Sequence, residues 1–206
     1  MRKLIRAAGL AAALVLAPLA ATAGEAGDAL FAERGPWSLG DETVAWSLTR
    51  EGPPLEGFRP VADGRITLAQ ITDPSDGEPV LEVMQDDGTR SRRLGLFPIS
   101  SGDPILTVFL EQTVRDMAAI TGGSPDYIRN RIKDAVFRGG EITEDGDATV
   151  ASFEPFANDP NAERMAGFQT LSMTFVMDDP AEPIRQMLAE TDPGSGAAYR
   201  AMMVKQ

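Results

Sequence analysis

From Thr43 onward, apolar and polar residues alternate along much of the chain. In TVAWSL, Val44, Trp46 and Leu48 fall on one side of an extended backbone and Thr43, Ala45 and Ser47 on the other, the period of two that marks a half-buried strand. The run QTLSMTFVM repeats the pattern, with Leu171, Met173, Phe175 and Met177 on a shared face. Strands are predicted over 43–50, 55–62, 65–72, 79–85 and 89–97, on either side of 145–146, and in the tail AAYRAMMVKQ. Asp-Gly pairs stand at 63–64, 76–77, 87–88 and 145–146. Both residues of such a pair tolerate positive φ, so each pair predicts a hairpin turn, and the even spacing of the first three predicts an antiparallel meander.

Between 104 and 137 the period changes to that of a helix. Leu106, Phe109, Leu110, Thr113, Val114, Met117 and Ile120 trace one helical face, with Ser101 and Asp103 as candidate caps and Pro104 suited to the first turn. Gly122-Gly123 ends this helix, and Ser124-Pro125 starts a second whose apolar stripe is Ile128, Ile132, Ala135 and Val136. A third helix is predicted over 180–190, capped by Asp179, with Ile184, Met187 and Leu188 facing inward. The polar run FANDPNAERMAG (156–167) reads as a connector or rim. The resulting fold class is α+β: a curved antiparallel sheet, a meander that reaches a half-barrel if it curves far enough, covered by a helical hairpin and a C-terminal helix.

Composition changes this picture at the N-terminus. Arg2, Lys3 and Arg6 precede an apolar stretch over 7–16 and the small residues Ala21, Thr22 and Ala23, the layout of a secretory signal peptide. The stretch is shorter than a membrane span and is broken by Pro18. The expectation is a leader over 1–23, removed on export to the periplasm, followed by a single domain over 24–206 with no transmembrane segment.

The formal net charge is −12, and loss of the leader removes three basic residues and no acidic one. A surface of that sign repels phosphate backbones, so no nucleic-acid partner is expected. Arg129, Arg131 and Lys133 on the second helix are then explained locally. Basic side chains beside an apolar stripe lay their stems over its rim.

The chain has no Cys and no His. That removes disulfides, the common nucleophilic triads and most zinc, copper and haem sites. The acidic clusters at 73–78 and 141–147 do not keep the calcium-loop pattern, because Met84 and Phe156 stand where its twelfth ligand belongs. No metal and no cofactor is expected. Hydrolysis by paired carboxylates survives these exclusions, although two Trp and two Tyr offer few sugar platforms.

The functional expectation is therefore a non-enzymatic periplasmic binding or carrier protein. Its apolar, lipid-like ligand would lie between sheet and hairpin, against Trp46, Phe109, Met117, Met173 and Phe175, with Arg129 and Arg131 near an anionic head group. The alternatives are an accessory protein that holds a periplasmic protein partner and no small molecule, and a carboxylate hydrolase without histidine.

Overall fold

The computed structural model describes residues 24–100, 102–179 and 181–206. The expected leader, the candidate cap Ser101 and the expected helix start at Pro180 lie outside the described residues. A short helix α1 (Glu25–Leu30) leads into β1 (Thr43–Glu51), β2 (Val61–Thr72), β3 (Pro79–Asp86) and β4 (Ser91–Pro98). The hairpin α2 (Pro104–Thr121) and α3 (Pro125–Arg138) follows, and then β5 (Glu141–Asp145), β6 (Ala148–Phe153), β7 (Ser172–Met177), β8 (Gln186–Glu190) and β9 (Arg200–Lys205).

All nine strands belong to one open antiparallel sheet in the order β4-β3-β2-β1-β9-β8-β7-β6-β5. It is two meanders joined where the last strand meets the first, in a register that sets Leu48 opposite Met203. The helical hairpin is the connection between the meanders. The tail thus closes the sheet from its middle, and the two edges fall to β4 and β5.

Period-two patterning places the core. Trp46 and Leu48 stand opposite Ile66 and Gly64, Met203 opposite Met187, and Met187 opposite Phe175, so these side chains share one face. That face is dry: Trp46, Ile66, Leu68, Val83, Met173, Phe175 and Met187 are all at most 1% exposed. The hairpin covers it, and Phe109 of α2 meets Phe175 edge-to-face at 5.9 Å. Asp103 caps α2 by accepting from the Ile105 and Leu106 amides, and Gly122 ends it in the left-handed region at φ 69°.

Two expectations are corrected. Within the segment predicted as a C-terminal helix, residues 186–190 form strand β8 and 181–185 are irregular, and the third α-helix among the described residues is α1 instead. Met187 and Ala189 are buried and alternate with half-buried neighbours, and β8 is hydrogen-bonded on both sides, to β7 and β9. Tertiary pairing overrides a helical pattern that Pro183 already weakens. The cap-like Asp179 closes only a local turn, accepting from the Ala181 amide.

The second correction concerns Asp63-Gly64, which lies inside β2 and makes no turn, while residues 55–60 stay outside the sheet. A Cβ on Gly64 would come within 2.5 Å of Val61 Cγ1 and 3.2 Å of the Leu48 carbonyl. The glycine is needed there for close packing beside the β1–β2 irregularity, where the register shifts between Leu48 and Arg50. The other three pairs do turn the chain, with Gly77, Gly88 and Gly146 at positive φ. The Asp73 and Asp87 carboxylates are held below their ordinary pKa by hydrogen bonds within their own turns, from Ser75 and from Thr89 and Arg90.

Candidate ligand site on the helical hairpin

The hairpin has an inner face toward the sheet and an outer one. On the inner face, Trp46, Phe109, Met117, Met173 and Phe175 are each at most 1% exposed. Trp46 Nε1 donates to the Ile184 carbonyl at 2.9 Å, and Phe175 is wedged between Phe109 and Phe153, with both ring pairs at 5.9 Å. Sequence reasoning placed these five together, and the fold brings them together as packed core. None of them lines the grooves described below.

The apolar space lies on the other side of the hairpin. Leu110 and Val114 from α2, Ile132 and Val136 from α3, and Phe31 and Phe137 wall a groove of about 320 Å³. The four aliphatic residues recur at helical spacing, so the two adjacent helices meet in one apolar seam; Val114, Ile132 and Val136 are at most 2% exposed, and Leu110, Phe31 and Phe137 carry the accessible apolar surface. Phe31 and Phe137 stack at 5.0 Å with their planes 9° apart. They remain 42% and 60% exposed.

Local sequence explains the aromatic pair. Gly27 of α1 lies against the Val136 carbonyl, where any Cβ would collide. Only glycine lets α1 approach α3 closely enough to bring Phe31 to Phe137.

The groove has a basic rim. Arg129 forks onto Glu111, with Nε at 3.1 Å from Oε2 and Nη2 at 2.8 Å from Oε1, and reaches Asp126 with Nη1 at 2.7 Å. The hydrogen bonds from Arg129 hold the Glu111 carboxyl below its usual range, and Glu111 in turn raises Arg129. Lys133, one turn along, is exposed and makes no ion pair among the described residues. It is the cation on this rim that is not already matched.

Arg131 does not reach the groove. Its Nε lies 2.7 Å from Asp159 Oδ2, and Asp159 also accepts from the Tyr127 hydroxyl at 2.9 Å and from the Asn161 amide at 2.8 Å. Burial pushes this carboxyl up, but the hydrogen bonds from Asn161, Tyr127 and Arg131 outweigh it and hold the pKa below its ordinary value. Arg131 is therefore a strut that ties the 156–167 connector to α3.

Of the basic flank Arg129, Arg131 and Lys133 that the sequence marks on the second helix, Arg129 and Lys133 line the groove, but the sequence reading sets the ligand on the hairpin's inner side and misses the aromatic wall. Phe137 follows Val136 and so falls off the buried stripe of α3. Phe31 follows α1, an element the hydrophobic pattern does not announce. An aromatic residue just off an apolar stripe was the available signal. No helix among the described residues is long and apolar enough to cross a membrane. No protein-family model and no curated protein matches the chain.

Proposed function

We propose that the protein is an exported, non-enzymatic binding protein for a single-chain anionic amphiphile. The aliphatic chain lies in the hairpin groove and the head group meets Lys133. The observation that carries this reading is the groove itself: apolar walls, two stacked aromatic rings left exposed beside it, and an unmatched cation on its rim. Each methylene transferred into such a groove gains about 0.8 kcal/mol, roughly fourfold in affinity. The hydroxyl in the lining, Thr107, donates to the Asp103 carbonyl at 3.1 Å, and the only carboxylate there, Glu111, is taken by Arg129. A second reading has a partner protein's apolar side chain in the same place, supported by the outward exposure of Phe137.

Calorimetric titration of delipidated protein with n-alkyl carboxylates from octanoate to tetradecanoate, below their micelle concentrations, tests the first reading. Affinity is expected to rise by about fourfold per methylene until the groove is filled. Phe137→Asp, a change at an exposed position, is expected to weaken binding at least about tenfold, and Lys133→Gln to weaken the carboxylates but not the matching alcohols. No saturable binding at any length would overturn the amphiphile and leave the protein partner.

Export rests on the basic, apolar and small-residue succession in residues 1–23. N-terminal sequencing of the protein recovered from a periplasmic extract should begin at Gly24. An uncleaved cytoplasmic form as the main species would contradict it.

A further inference from the structure

The space between sheet and hairpin is filled in the middle but opens at one end. There, beyond the β1–β2 irregularity, a second cavity of about 300 Å³ is walled by five arginines: Arg50, Arg59, Arg90, Arg92 and Arg115. They come from β1, the 52–60 loop, the β3–β4 turn, β4 and α2. In a chain of net charge −12 this is a local concentration of the minority sign.

Two carboxylates share the wall, and both are already taken. Asp116 accepts from Arg50 Nη2 at 2.9 Å, Gln112 Nε2 at 2.8 Å and the Tyr199 hydroxyl at 3.0 Å. Asp87 Oδ1 is bound by the amides of Thr89 and Arg90 and by the Thr89 hydroxyl. Arg92 is steadied by Gln85, its Nη2 donating to Oε1 at 3.0 Å, and Arg115 leans on Glu111 at 3.6 Å. Arg59 and Arg90 are exposed and make no ion pair among the described residues.

The decisive group is Arg50. It is only 6% exposed; one of its nitrogens is engaged by Asp116 and its guanidinium carbon lies 5.3 Å from the centre of the Phe58 ring, yet its buried Nε has no hydrogen-bond partner among the described residues. Buried donors are almost always satisfied, and an orphan on a charged group is among the costliest. The wall holds five guanidiniums against two carboxylates, and the excess of like charge adds to that cost. A guanidinium held in place and largely withdrawn from water is also the side chain best suited to a planar or tetrahedral oxyanion, because its donors form a fixed fork.

We propose that this cavity is a binding site for a small multivalent oxyanion, of the phosphate or polycarboxylate class, seated on Arg50 and closed by Arg59, Arg90, Arg92 and Arg115. It is separate from the hairpin groove and does not depend on the amphiphile reading. The ligand's charge offsets the excess of five guanidiniums over two carboxylates in the wall, and the cavity's size limits it to a small molecule. The occupant enters from the exposed side, between the 52–60 loop and the β3–β4 turn, where Arg59 and Arg90 stand.

The test uses pyrophosphate and citrate as probes, with acetate as the monovalent comparison, in calorimetric titrations at about 0.15 M ionic strength, where charges more than about 8 Å away are screened. One saturable site is expected for at least one multivalent probe, with acetate at least about tenfold weaker. The double variant Arg59→Gln/Arg90→Gln changes two exposed residues that hold no structural partner, so it is expected to fold, which a thermal melt checks. It should weaken the multivalent probes at least about tenfold.

A control, Arg65→Gln/Arg164→Gln, removes the same charge from exposed positions that do not line the cavity and should leave affinity within about twofold. Binding of no probe, or equal loss in the two double variants, would overturn the site, the second result by reducing it to general charge attraction.

Discussion

Phe109→Ala is expected to lower the unfolding free energy by about 3 to 5 kcal/mol, read from the midpoint shift in urea at unchanged slope. Phe109 is 1% exposed and stands edge-on to Phe175, which stands edge-on to Phe153. Truncation removes the ring's own burial and leaves a cavity under a sheet face that cannot collapse onto a helix, because both are held by their own hydrogen bonds. Phe137→Ala is the internal comparison. At 60% exposure it should cost less than about 1 kcal/mol. Equal, small effects would mean that the hairpin is not integral to the core.

Asp116→Ala is expected to cost about as much, roughly 3 to 5 kcal/mol, by a different route. The carboxylate is 2% exposed and serves three donors: Arg50, Gln112 and Tyr199. Burial raises its pKa and Arg50 opposes that rise, while burial and the neighbouring carboxylate lift Tyr199 well above the ordinary phenol value. Deleting Asp116 therefore strands a buried guanidinium and the Tyr199 hydroxyl together. Replacing both charges, as in Arg50→Met/Asp116→Leu, should recover the share of the loss due to the stranded guanidinium and leave that of the Tyr199 hydroxyl, since burying two apolar groups avoids the desolvation of two ions. A double variant no more stable than Asp116→Ala would show that the pair itself contributes net stability.

The parts of this fold that were legible in the sequence are those whose causes are local. The caps and breaks of the hairpin follow from Asp103, Gly122, Ser124 and Pro125, and the buried faces of β1 and β7 follow from strict alternation at Trp46 and at Met173–Phe175. What failed depended on distant partners. Residues 180–190 carry a cap-like Asp and apolar residues three and four apart, and only pairing with β7 and β9 decides for a strand. Asp63-Gly64 is identical in letters to three real turns. Its glycine serves the close packing of Val61, Leu48 and Asp86 instead.

The proposed ligand sites divide in the same way. Trp46, Phe109, Met117, Met173 and Phe175 converge in the core, because alternation and helical period both aim them inward. Periodicity does not say whether a converging set leaves a void. Here large side chains from both layers fill the space. The outer groove depends on Gly27 letting α1 dock on α3, and the arginine cavity gathers five residues from five separate elements. No short stretch of sequence contains either.

The most direct test of the amphiphile reading is a methyl and aromatic NMR titration of the isotope-labelled protein with dodecanoate. Resonances of Phe31, Leu110, Val114, Val136 and Phe137 should shift together along one saturable curve, while those of Met173, Phe175 and Met187 stay in place. Shifts centred on the sheet face, or none at saturating ligand, would contradict a binding groove on the outside of the hairpin.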